Sequence, residues 1–198
     1  MRTVTTTKLI EDLRDPANAE AWGAFDGRYR PILIGFAVRL GFARADAEEL
    51  AQRALVEFAR AYREGRYERG RGRLGSWLIG IARNTGMAMR RSVAEGGRLG
   101  GGTRLEEMPG EGELTRVWAR EREQAILGEA LAQLRASERL EAHTFRAFEL
   151  FALRGVPASE VAEQCGIAVD SVYVIKNRLT KRLREIVREL TTAYDEEG

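Results

Sequence analysis

The 198-residue sequence contains one cysteine and one histidine, which removes several kinds of site from consideration. Cys165 alone excludes an intramolecular disulfide and fits a reducing compartment. Together with His143 it cannot supply the four ligands of a structural zinc ion, so we expect no metal and no cofactor. No apolar run approaches the length that spans a bilayer, and residues 1–15 lack the apolar stretch of a secretory signal. We therefore expect a cytoplasmic protein without membrane insertion.

Lysine is also scarce, since 29 of the 32 basic residues are arginine. These basic residues are unevenly distributed along the chain. Residues 60–91 carry nine arginines against two glutamates, and residues 176–188 carry six basic residues against one glutamate. One interpretation is a solvated surface in an arginine-biased proteome. Two separate basic patches instead favour nucleic acid as a partner.

Apolar residues recur at a spacing of three and four nearly throughout, which predicts an all-α fold without strands. Asp46 is placed to cap one of the helices, and Pro31 predicts a kink or a break in another. Helices are predicted near residues 8–13, 17–40, 46–62, 75–91, 116–134 and 138–153.

The helical pattern is interrupted over residues 93–116, where seven glycines and one proline lie between Val93 and Leu114. Such a composition is typical of a flexible linker. The sequence therefore predicts two small helical domains, residues 1–92 and 117–198, joined by a glycine-rich linker over residues 93–116.

The segment VPASEVAEQCGIAVDSVYVIKNRLTKRLREIV, residues 156–187, has the layout of a helix-turn-helix motif. Ser159 and Asp170 are placed to cap its two helices, and Gly166 is placed to form the turn. The second helix is predicted to turn an apolar face inward, formed by Val172, Ile175, Leu179, Leu183 and Ile186. The alternative is a plain helical hairpin with solvated charges. As a recognition helix, it would contact DNA through Ser171, Tyr173, Val174, Lys176, Asn177, Arg178 and Lys181.

Gly70, Gly72 and Gly75 spell the G-x-G-x-x-G pattern of dinucleotide-binding enzymes. That function requires a buried strand before the glycines and a helix after them. The residues upstream, including Phe58 and Tyr62, instead follow a helical spacing. The pattern therefore favours a flexible turn between two helices over a nucleotide site.

Two further segments, DAEELAQ at residues 46–52 and GRLGSWLIGIARN at residues 72–84, precede the helix-turn-helix segment. In this order, the three segments resemble regions 2 and 4 of the extracytoplasmic-function (ECF) sigma factors, a branch of the sigma-70 family. The resemblance covers residues 16–92 and 117–190. The chain departs from the family at Leu74, where Phe is common, at Gly75, where Arg is common, and at residues 173–175, where Lys-Ser-Arg is frequent.

The resemblance implies a protein without catalytic residues that binds the clamp and flap regions of core RNA polymerase, reads the −10 and −35 promoter elements and assists melting. It places polymerase binding on Asp46, Glu48, Glu49 and Gln52. It assigns the −10 element to the loop Tyr67–Leu74 and the helix after it, with contacts from Tyr67, Arg69, Arg71, Arg73, Arg83, Asn84, Arg90 and Arg91. Trp77 is predicted to pack in the core, the alternative being a stacking platform for a base. The helix-turn-helix contacts are assigned to the −35 element.

Two alternatives stay open at this point, besides the possibility of an anti-sigma factor as a further partner. The first is a two-domain helix-turn-helix regulator that does not bind core polymerase, which would leave DAEELAQ unexplained. The second is an enzyme that uses the glycine pattern, which lacks both strands and paired catalytic groups.

Overall fold

The computed structural model describes residues 6–67, 73–94, 103, 108–137 and 141–194, and within these the fold is α-helical without a strand. In chain order the helices are α1 (Thr6–Asp12), α2 (Ala19–Arg39), α3 (Arg44–Arg63), α4 (Leu74–Ala94), α5 (Glu111–Arg135), α6 (Ala142–Phe148), α7 (Ala158–Cys165) and α8 (Val169–Tyr194). A π-helical turn, Glu149–Leu153, continues α6. The all-α prediction is confirmed for the described residues.

The chain divides into two compact units. The first contains α1 to α4 and the start of α5, up to Ala125, and the second contains the rest of α5 with α6 to α8, from Ile126 to Tyr194. Helix α5 begins at Glu111, five residues before the start that the apolar pattern predicts and inside the range predicted to be linker.

The core of the first unit forms where α2, α3 and α4 pack together. Phe25, Phe36 and Phe58 are completely or almost completely buried there, as are Leu50 and Leu78. These residues lie on the inward faces that the three-and-four spacing predicts, so burial of their apolar surface is the main stabilising term of this unit.

Helix α2 runs without a break through Pro31, so of the predicted kink or break, the break is wrong. A proline removes one amide donor from the helix and leaves the carbonyl of the residue four positions earlier, here Gly27, without its partner. Pro31 lies on the exposed face of α2, where water can bind that carbonyl in place of the missing amide. The cost of the proline is therefore low at this position.

In the second unit, α7 and α8 are joined by a short turn in which Gly166 adopts a left-handed conformation with φ of 66°. This confirms the turn that the glycine predicts, because other residues rarely adopt that φ. The predicted caps are wrong. The N-cap of α7 is Pro157 rather than Ser159, and Asp170 is already the second residue of α8. Asp170 still lies in the first helical turn, where the helix dipole favours an acidic side chain.

Candidate nucleic-acid interface

Three of the four residues predicted to bind polymerase, Glu48, Glu49 and Gln52, are exposed on α3. They share one face of the helix because they lie three and four residues apart. Each has a basic neighbour: Arg44 is 2.8 Å from Glu48, Arg53 is 2.5 Å from Glu49, and Arg30 donates to the Gln52 side chain at 2.7 Å. Pairs between exposed groups contribute little stability, so a partner can displace them at low cost.

Asp46, the fourth residue, lies in a different environment, since it is only 6% exposed. The Thr103 hydroxyl donates to its carboxylate and accepts a hydrogen bond from the Ala43 amide at 2.8 Å. Ala43 is the N-cap of α3 and Asp46 the third helical residue, so the prediction that Asp46 caps this helix is wrong. These two hydrogen bonds connect Thr103, a residue of the glycine-rich segment, to the first turn of α3.

A row of aromatic rings leads from the core of the first unit to the start of the loop at Tyr67. Phe25 stacks on Phe58 with centroids 4.4 Å apart, and Phe58 stacks on Tyr62 at 5.8 Å. Tyr67 stacks on Trp77 at 5.0 Å, and Trp77 also packs edge-on against Phe58 at 5.3 Å. Trp77 is half-buried, so it both supports the core, as predicted, and forms a platform beneath Tyr67.

An open cleft of about 380 Å³ lies beside these rings, between α1 and the end of α3. Its walls include Ile10, Arg14, Tyr62, Arg63 and Tyr67. The Tyr62 hydroxyl donates to the Ile10 carbonyl at 2.5 Å, which holds this wall in place. The cleft therefore combines flat aromatic surface with two arginines and one glutamate, Glu11. Aromatic rings and arginines are the groups that bind a nucleobase and its phosphate. Nothing in the sequence pattern signals the contribution of α1.

The predicted −10 residues fall into three groups. Arg69 and Arg71 lie outside the described residues. Arg73, Asn84 and Arg91 are exposed, and they share one stripe because their spacings of eleven and seven residues are close to whole helical turns. Arg83 and Arg90 are half-buried.

Arg90 has a structural partner. Its guanidinium donates to the Leu40 carbonyl at 2.5 Å and lies 5.0 Å from the centre of the Phe42 ring. Leu40 is the C-cap of α2, where a positive charge stabilises the helix dipole. Arg90 therefore fastens α4 to the end of α2, a role that the sequence did not indicate.

The start of α5, which belongs to the first unit, packs on α2 through contacts that the sequence did not predict. Leu114 and Trp118 are buried, and the Trp118 indole meets Phe36 edge-on at 5.8 Å. Glu121 is 7% exposed and accepts a hydrogen bond from Arg39 Nε at 3.0 Å. The only sequence signal for this contact is the spacing of 114, 118 and 121, which places three large side chains on one helix face.

Helix α8 presents the predicted division into two faces. Val172, Ile175, Leu179 and Ile186 are buried as predicted, whereas Leu183 is half-buried. The exposed face carries Tyr173, Val174, Lys176, Asn177, Arg178 and Lys181, and Ser171 is half-buried. Among the described residues, no carboxylate pairs with Lys176, Arg178 or Lys181. This surface therefore offers uncompensated positive charge to a polyanion.

The described part of the chain contains no cluster of three or more histidine, cysteine or acidic residues arranged to hold a metal ion. None of the described helices has the length and apolar character needed to cross a membrane. The element upstream of the glycine pattern is helix α3 rather than a strand, so the context that a dinucleotide site requires is not met.

The comparison with known families bears on α2, α3 and α4. Residues 25–94 match the family described as Sigma-70 region 2. No curated protein matches the chain significantly. The matched range contains the exposed face of α3, the Tyr67–Trp77 stack and the stripe on α4. The match supports placing the chain in the sigma-70 family, whose region 2 belongs to non-enzymatic factors and suggests a role in transcription initiation.

Proposed function

We propose that the chain is a sigma factor of the ECF type, which binds core RNA polymerase and directs it to promoters. The observation that carries this proposal is the stripe formed by Arg73, the residue just before α4, with Asn84 and Arg91 on α4. The stripe lies within the matched region and begins one helical turn before Trp77. Exposed basic and amide groups beside stacked aromatic rings are what a protein needs in order to hold a single DNA strand.

In this proposal the exposed face of α3 is the polymerase-binding surface. Glu48, Glu49 and Gln52 contact the clamp of core polymerase after exchanging their present arginine partners for groups of the polymerase. Asp46 contributes from inside, because its contact with Thr103 stabilises the first turn of the same helix. The carboxylates of this face are each paired with an arginine of α3, which distinguishes the face from that of α8, whose predicted DNA-contacting lysines and arginine have no carboxylate partner among the described residues.

The −10 element is bound by the loop Tyr67–Leu74 and by the stripe on α4. Unpaired bases stack against Tyr67, and the cleft of about 380 Å³ beside it is large enough to receive one flipped base. Arg69, Arg71 and Arg73 attract the phosphates of the melted strand. Arg83, Asn84, Arg90 and Arg91 continue the surface along the helix, with Arg90 also serving the fold.

The −35 element is bound by the second unit, with α7 and α8 acting as a helix-turn-helix motif. The exposed face of α8 enters the major groove, where Asn177 and Arg178 can reach base edges. Lys176 and Lys181 contact phosphates, and Ser171 and Tyr173 flank the reading surface. A contact with the polymerase flap, an anti-sigma partner and a cytoplasmic location complete the proposal.

Run-off transcription with purified core polymerase on a promoter library tests this function. Transcripts that start at a common distance from two short shared elements are the expected result. A matched experiment measures binding of the full chain to core polymerase without DNA. If the chain binds specific duplexes but not core polymerase, it is a helix-turn-helix regulator instead of a sigma factor.

A further inference from the structure

Helix α8 exposes apolar surface in the middle of its basic face. Val174 is 63% exposed and Tyr173 is 49% exposed, although the neighbouring outward positions are polar or charged. Val174, Asn177 and Lys181 follow one another at spacings of three and four, so the valine lies in line with an amide and an ammonium group. An isolated exposed valine is ordinary, but this one lies on the line that would face a ligand.

Folding of the second unit does not explain these two side chains. Val172, Ile175 and Leu179 already provide the inward face of α8. Val174 points away from that face. The Tyr173 ring makes an edge-on contact with Phe151 at 5.3 Å and an interplanar angle of 84°. This contact fixes the direction of the ring while leaving about half of the residue open.

The charges around the apolar surface indicate which ligand covers it. Lys176, Arg178 and Lys181 have no carboxylate partner among the described residues, so the surface is suited to a polyanion. In the major groove of DNA, the apolar group available to a valine is the C5-methyl of thymine. Asn177, one turn along the helix, has the donor and acceptor that match the N6 and N7 edge of adenine.

We propose that Val174, supported by the ring of Tyr173, reads the C5-methyl group of a thymine in the duplex element bound by α8. The inference rests on the proposed DNA binding by this helix and adds a specificity that the family resemblance does not supply, since residues 173–175 depart from the family pattern. Valine has no polar atom, so its discrimination between bases comes from the methyl group alone. The bound element therefore contains a thymine near an adenine read by Asn177.

The test uses the full chain with core polymerase and a duplex selected for tight binding from random sequences. Each thymine of the selected −35 element is replaced in turn by deoxyuridine, which removes the methyl group and leaves base pairing unchanged. For the unmodified protein, one position should lose about fourfold in affinity, the factor that corresponds to burial of a single methyl group. In V174A that loss should disappear, so that thymine and deoxyuridine duplexes bind equally.

V38A is the matched control, because Val38 is an exposed valine on α2, in the other unit. It should keep the full sensitivity to deoxyuridine. The protein should bind a duplex with 5-methylcytosine at the critical position more tightly than the same duplex with cytosine, again only when Val174 is present. Thermal unfolding of V174A should match that of the unmodified chain, since the side chain is exposed.

The outcomes separate this inference from the proposed function. Specific binding that is insensitive to deoxyuridine at every position, or a sensitivity that persists in V174A, overturns methyl reading and leaves DNA binding intact. Absence of any sequence-specific duplex binding that depends on α8 overturns both. Binding of an acidic protein at Val174 and Tyr173, with no DNA effect, would assign the surface to that partner and also overturn the inference.

Discussion

The indole of Trp118 lies over Gly75, and its Nε1 would be 3.1 Å from a Cβ atom at that position. Trp118 belongs to α5 and Gly75 is the second residue of α4. A side chain at this position would require the indole to shift by a few tenths of an ångström. The absence of a side chain at Gly75 therefore fits the helix that packs there.

A second glycine on the same unit has a similar role and gives a stability prediction. A Cβ atom at Gly35 would meet the carboxylate of Glu121. Gly35→Ala should therefore destabilise the protein by about 1–3 kcal/mol, because the carboxylate must leave its place beside Arg39. In an E121A background, the same change should stabilise by about 0.5–1 kcal/mol, the usual preference of a helix for alanine.

Urea unfolding of the four variants measures this change of sign. Gly23→Ala and Gly27→Ala are controls on the same helix, because a Cβ at either position meets nothing within 4 Å. Both should stabilise the protein. An equal effect of Gly35→Ala in the two backgrounds would show that Glu121 does not occupy this place in solution.

The bridge from Thr103 to the start of α3 predicts a cost for losing one hydroxyl group. Thr103→Val keeps the shape of the side chain but leaves the buried Asp46 carboxylate and the Ala43 amide without this partner. Unfolding free energy should fall by about 1–3 kcal/mol, whereas Thr103→Ser should cost far less. Denaturant titration compares the two variants. A valine variant as stable as the serine variant would contradict the bridge.

The exposed face of α3 predicts a polymerase-binding defect without unfolding. Glu49→Lys reverses a charge on this face, and Gln52→Ala removes an amide, so both should weaken binding to core polymerase. Because the ion pair of Glu49 and the hydrogen bond of Gln52 are exposed, stability should change by less than about 1 kcal/mol. Co-purification with core polymerase measures the effect, with Glu20→Lys on α2 as a control for charge reversal elsewhere. Unaltered recovery of both α3 variants would move the binding surface to another face.

The loop between α3 and α4 predicts a defect in promoter opening. Replacing Arg69, Arg71 and Arg73 by alanine should leave duplex binding at the −35 element nearly intact and sharply reduce melting at the −10 element. The reason is that base flipping costs a few kcal/mol, so a weakened capture site shifts the equilibrium towards the closed duplex. Permanganate reactivity of unpaired thymines reports the open state. Opening at the unmodified level would identify the loop as a connector.

Two residues on α8 should differ in the kind of DNA contact that they make. Lys181→Ala should weaken binding on all sequences alike and reduce the salt slope by about one unit, as loss of a phosphate contact does. Arg178→Ala should cost about 1–3 kcal/mol and relax the preference at one base pair. Binding titrations at several salt concentrations on matched and mismatched duplexes separate the two. Identical losses on every duplex would reassign Arg178 to the backbone.

The sequence by itself determined the helices and their inward faces. The spacing of Phe25, Phe58 and Val172 identified buried faces correctly, and Gly166 marked its turn, because both signals depend on backbone geometry within a few residues. The match over residues 25–94 is likewise a property of local sequence.

Tertiary structure decided which polar residues are buried and what they contact. The sequence predicts that Asp46 caps α3 and binds polymerase, but its side chain is buried and accepts a hydrogen bond from Thr103, 57 residues away. Arg90 looked like a DNA ligand and binds the Leu40 carbonyl, 50 residues away. Trp118 and Gly75 show complementary shapes only when α5 lies on α4. Contacts between residues so distant in the chain leave no periodic pattern in the sequence, because they depend on how whole helices pack.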